Sequence, residues 1–171
     1  MRPCKIILSY NDGNPWDVLQ RCFKISTLEK FDQVINQLEE EHKDKNGAIV
    51  VNVFISSEIN IGLYLCTPET ILNYYNPKRK LGDCRRMSLG NEKNEKGEVI
   101  KLREAYSQEE LITIPKRYLI SKEQALRAVR YFVQTGGQLS NEIDWENPVS
   151  RINDDDKKDP HYDKLDADVP F

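Results

Sequence analysis

The side chains best able to move protons or hold a cation crowd toward the C-terminal end of this 171-residue chain. Glu142, Asp144 and Glu146 alternate with Ile143 and Trp145, so an extended strand sets the three acids on one face and the two apolar groups on the other. Two carboxylates brought together can divide acid and base roles when their surroundings push their pKa values apart. The same alternation also fits a sheet strand with its tryptophan in the core and its acids in water. Farther on, "NDDDKKD" offers Asp154, Asp155 and Asp156 as oxygen ligands of the kind calcium takes. It lacks the glycine and the closing glutamate of an EF-hand loop, and no metal site is expected.

Other chemistries find less to work with. The two histidines, His42 and His161, stand in no metal-ligand spacing and read as surface residues, and Cys4, Cys22, Cys66 and Cys84 are scattered without a C-x-x-C pair. The sequence holds no phosphate loop, dinucleotide turn, nucleophile elbow or zinc deaminase constellation, and it implies no cofactor. A basic run, "NPKRKLGDCRR", puts Lys78, Arg79, Lys80, Arg85 and Arg86 near Tyr74 and Tyr75, residue types that serve phosphate contacts and base stacking. The run is short and unaccompanied by an RNA-binding sheet signature. A solvated loop, or a rim that meets an acidic partner, fits it better than nucleic acid does.

Length allows one domain with a real core, expected over residues 1–150, followed by an acidic tail over 151–171. No apolar run approaches a membrane span, and the short apolar segment in "MRPCKIILSYNDG" is followed by no cleavage site, which points to the cytoplasm. Net charge is −3, yet residues 141–171 hold ten Asp or Glu against four Lys or Arg, leaving the rest of the chain at +3. Such an end attracts basic partners and repels nucleic acid, or simply keeps the chain in solution.

The elements that would position these groups follow from periodicity. Ser26-x-x-Glu29 has the form of a capping box, and Leu28, Phe31, Val34, Ile35 and Leu38 recur at helical spacing, which predicts a first helix from about Thr27 to His42. "AIVVNVFI", "SSEIN" and "IGLYLC" form the pattern of two strands joined as a hairpin, and "TILNYY" reads as a third that ends at Asn76-Pro77. A long polar connection follows, with a short strand near Met87, then the short strands "VIKLREA" and "LITIP". A second capping box, Ser121-x-x-Gln124, opens a helix with Ala125, Ala128, Val129, Phe132 and Val133 on one face, which Gly136 ends in the left-handed conformation. The order predicts an α+β fold: a mainly antiparallel sheet of about five or six strands with two principal helices packed on one face.

The stretch "RYLISKEQALRAVRYFVQTGGQLSNEIDWE" resembles the C-terminal signature of immunity protein family one, the first-numbered immunity family of bacterial polymorphic toxin systems. The positions that carry the resemblance are Ala125, Leu126, Ala128, Phe132, Thr135, Gly136 and Trp145, with "IGLYLC", "ILNYY" and Ser88-x-Gly90 in the expected order upstream. It spans about residues 25–147. Leu139 departs from it where the family often has proline, as do the lysine-rich insertion at 91–96 and the acidic extension after Asn147.

The resemblance implies a non-catalytic bacterial protein that binds and neutralises a cognate toxin domain, often a deaminase-type enzyme acting on nucleic acid. The expected mechanism is an acidic surface laid over a basic substrate cleft, with Glu142, Asp144, Glu146, Asp154, Asp155 and Asp156 as partner-binding candidates. Phe132, Gly136 and Trp145 are expected to be structural. A small carboxylate-using enzyme or ligand-binding domain is the alternative reading, and oligomeric state stays open.

Overall fold

The computed structural model describes residues 6–11, 21–45, 47–56, 58–80, 84–90, 98–103 and 111–147. Asp154, Asp155, Asp156 and the tail over 151–171 lie outside them.

The fold is α+β. Its elements are β1 (Ile6–Asn11), β2 (Arg21–Ile25), α1 (Leu28–His42), β3 (Ile49–Ile55), β4 (Ile59–Leu65), β5 (Glu69–Thr70), β6 (Leu72–Tyr75), β7 (Arg85–Leu89), β8 (Val99–Arg103), β9 (Leu111–Pro115), β10 (Ile120–Ser121), α2 (Lys122–Thr135) and β11 (Asp144–Glu146). Seven strands form one antiparallel sheet in the order β11-β7-β6-β4-β3-β1-β2. The β3–β4 hairpin is the one its sequence predicts, registered from Ile49↔Leu65 to Ile55↔Ile59. Within the main sheet, β1 and β2 were not expected; β8 and β9 pair with each other, apart from it.

Both helices cover one face. Phe31, Val34, Ile35 and Leu38 of α1 and Ala125, Ala128, Val129, Phe132 and Val133 of α2 join a single buried cluster with Leu8, Val51, Val53, Ile61, Leu63, Leu72 and Tyr74 from the sheet. The Phe132 ring meets Tyr74 edge-on, centroids 6.2 Å apart, a geometry that adds to the area both rings bury. Across the helix pair, Lys122 donates to Glu39 at 2.8 Å and Arg130 pairs with Asp32.

The ends of the helices show which local signals prevail. At α2 the Ser121 and Gln124 side chains each take the other's backbone N–H, and Gly136 holds φ 70° as it closes the helix. At α1 the N-cap is Thr27, one residue later than the Ser26 box, with the Lys30 N–H donated to its hydroxyl at 3.1 Å. Glu29 then sits in the first turn, where its own backbone N–H and Thr27 hold its carboxyl below the usual range.

A smaller cluster covers part of the opposite sheet face: Ile71, Ile114, Tyr118 and Leu119, joined by Tyr64, Met87, Leu89, Ile100 and Leu102. The β8–β9 hairpin is tied down by Ala48 N–H donating to the Arg103 carbonyl at 2.7 Å. A 3-10 turn at Lys116–Tyr118 completes the cover.

Candidate functional site

Period-two alternation sorts the sheet's side chains, and its register aligns them across strands. On the face away from the helices, Lys24, Ile7, Phe54, Asn60, Tyr75 and Arg85 stand opposite one another in one continuous row. Phe54, Ile7 and Asn60 are half-buried, while Lys24 and Arg85 are exposed. Tyr75 keeps 37% of its surface, one of three large hydrophobics left exposed among the described residues. The β8–β9 hairpin covers the other end of this face, so the row stays open. At the β6 end, Asn60, Asn73, Tyr74, Tyr75 and Arg85 line a cleft of about 350 Å³.

The end of β6 and the start of β7 are braced on both faces of the sheet. The Arg85 guanidinium lies 6.0 Å from the Tyr75 ring centroid on the open face, and Arg79 lies 5.3 Å from that of Tyr74, whose ring belongs to the helix-side core. Asn76 donates to the Tyr74 hydroxyl at 3.0 Å and accepts the Lys78 N–H at 3.0 Å, which fixes the turn. Lys78 pairs with Glu58 at 3.0 Å. Among the described residues neither Arg79 nor Arg85 is paired with a carboxylate.

The acids of the last strand do not form the common outward face expected of them. Glu142 precedes β11 in a turn, exposed and 3.3 Å from the Arg127 Nε. Asp144 is exposed on β11. Glu146 is a correction: it is 9% exposed. It does point away from the helices, paired in register with Met87, but the 3-10 turn closes over that end of the sheet. Arg117 Nε stands 3.7 Å from its carboxylate, an ion pair too long for a direct hydrogen bond. Arg117 also donates to the Tyr118 hydroxyl at 2.6 Å. Burial pushes the Tyr118 phenol pKa up, against the pull of Arg117.

Most of the positions that carry the resemblance pack in or beside the helix-side core. Ala125, Ala128 and Phe132 are buried, and Leu126 and Trp145 pack against the same core. The Thr135 hydroxyl accepts the Gln138 N–H at 3.2 Å just past the helix, and the Trp145 indole donates to the Ser140 carbonyl at 2.8 Å. Ser88-x-Gly90 has its own local reason. Gly90 N–H donates to the Arg117 carbonyl at 2.7 Å, and a Cβ at Gly90 would sit 2.2 Å from the Leu119 oxygen.

Sequence reasoning isolated Tyr75 and Arg85 but missed Phe54 and Asn60. The available signal was phase: in "VNVFI" the buried positions are Val51, Val53 and Ile55, which leaves an aromatic residue on the polar beat. Among the described residues no group of three or more His, Cys, Asp or Glu side chains stands close enough to hold a metal ion, and no helix is long and apolar enough to cross a membrane. No protein-family model matches the chain, and no curated protein is significantly similar to it.

Proposed function

We propose that this protein is an immunity protein: a non-catalytic, cytoplasmic bacterial inhibitor that binds a cognate toxin domain and occludes its substrate cleft. The observation that carries the reading is the open sheet row around Tyr75 and Arg85, because tyrosine and arginine on a rigid scaffold are the residue types that anchor protein interfaces. Support also comes from the helix, left-handed glycine and tryptophan that make up the family-like signature, which here builds the scaffold behind that face. A toxin acting on nucleic acid, such as a deaminase-type enzyme, gathers phosphates in a basic cleft. Asp144 and the acidic extension after Asn147 suit such a cleft and would speed encounter with it.

The test is co-expression with the toxin domain encoded beside this chain, and purification through a tag on one partner at low and at high salt. A stoichiometric complex that restores growth is expected, weaker as salt rises. Failure to associate at any salt overturns the reading.

A further inference from the structure

The last strands carry charge of opposite sign at their two ends. Asp144 stands opposite Leu89 at one end of β7, whereas Arg85 begins β7 at the other. Four residue steps of strand separate Leu89 from Arg85, on the order of 13 Å. Lys78, Arg79 and Lys80 are exposed in the turn beside Arg85, and among the described residues Glu58 is taken up by Lys78. An acidic surface over a basic cleft accounts for the Asp144 end alone.

We infer that the contact anchored at Tyr75 and Arg85 continues to the end of the β6–β7 hairpin, where Arg79 and Arg85 form a preset pair of arginines that grips an acidic patch of the protein partner. Arg79 and Arg85 flank the tip on opposite faces, each laid over a tyrosine ring. A guanidinium held over a ring in this way loses little freedom when a carboxylate arrives. Tyr74 is fixed in turn by Phe132 and Asn76, which gives Arg79 a fixed ring to lie against before binding. Nucleic acid fits less well. Bases need free aromatic faces for stacking, and here Tyr74 is buried while a guanidinium lies beside each ring. An acidic protein patch needs only guanidinium donors, which no carboxylate takes up among the described residues. The inference rests on the inhibitor reading: the acidic end meets the cleft, the basic tip meets acids beside it, and the two signs together fix the partner's orientation.

Two experiments test it and separate its failure from that of the inhibitor reading. In the complex with the neighbouring toxin domain, the R79A/R85A double variant should lose about tenfold or more in affinity, while R127A stays near the parent. Unchanged melting temperatures would show that both variants are folded. If R79A/R85A binds as the parent does, the tip is not a contact. Where no toxin complex forms, the inhibitor reading falls and the tip is judged without it, by amide NMR shifts on adding poly-L-glutamate to the full chain at low salt. Shifts centred on residues 74–85 that vanish in R79A/R85A support the tip. Shifts elsewhere, no shifts, or tighter binding of a single-stranded oligothymidylate of equal charge overturn it.

Discussion

The Ser88 hydroxyl donates to the Tyr118 carbonyl at 2.8 Å while it accepts the Leu72 N–H at 2.9 Å. One fully buried side chain thus joins β6, β7 and the 3-10 turn where no regular ladder spans all three. Replacing it strands a buried donor and a buried acceptor together. Ser88→Ala should lower unfolding free energy by about 2–4 kcal/mol in urea titrations, and Ser88→Thr, which keeps the hydroxyl and adds one methyl at a fully buried site, should lose less.

Gly90→Ala should be at least as damaging, since its Cβ would meet a backbone oxygen, which cannot swing aside as a side chain can. Gly136→Ala should cost only about 1–2 kcal/mol, because nothing lies within 4 Å of a Cβ there and the penalty is the left-handed backbone alone. Paired thermal melts should rank the two glycines in that order.

For Trp145, packing and hydrogen bonding can be separated. Trp145→Phe keeps most of the apolar contact and leaves the Ser140 carbonyl without its indole donor, a loss of about 1 kcal/mol. Trp145→Ala removes both and should cost about 3 kcal/mol. Equal losses in the two variants would show that the ring contributes no packing.

Alkali should destabilise the protein. The Tyr118 phenol is raised by burial, so the unfolded chain ionises first and stability falls as pH climbs past the ordinary tyrosine value of about 10. Lys122 is raised by its hydrogen bond to Glu39; its contribution is full below the ordinary lysine value of about 10.4 and disappears as pH passes through the higher folded value. Both effects have the same sign and window. Urea midpoints should fall between about pH 9.5 and 11.5, less steeply in Tyr118→Phe.

Thiol labelling should distinguish the cysteines. Cys22 is exposed on the edge strand β2, whereas burial raises the Cys66 thiol pKa and the Glu39 carboxylate adds to the effect. At pH 8, peptide mapping after a brief pulse of iodoacetamide should find Cys22 modified well before Cys66.

Most of the scaffold could be read from the sequence because its signals are local. The α2 cap, the left-handed Gly136 and the β3–β4 hairpin each depend on residues within a few positions of one another. The candidate surface depends on register, which joins Phe54 to Tyr75 through Asn60 across three strands, and nothing local encodes it. Glu146 shows the same limit. Alternation chose its face correctly, but whether that face meets water was decided by Arg117 and Tyr118, brought over it by a distant turn. Strand β2 was missed because "RCFKI" offers only five residues of alternation, with lysine and cysteine on the outer beat.

The pairing of Trp145 with Ser88 spans 57 positions of chain (145 less 88). On a ribosome adding roughly 5–20 residues each second, β7 waits on the order of 3–11 s for its outer neighbour. Through that interval its outer edge is a bare template for any passing strand, a route to aggregation. Strand β7 begins with two arginines, and charge on an exposed edge discourages such pairing. Arg85 and Arg86 therefore guard the nascent chain before the finished protein has any partner to meet.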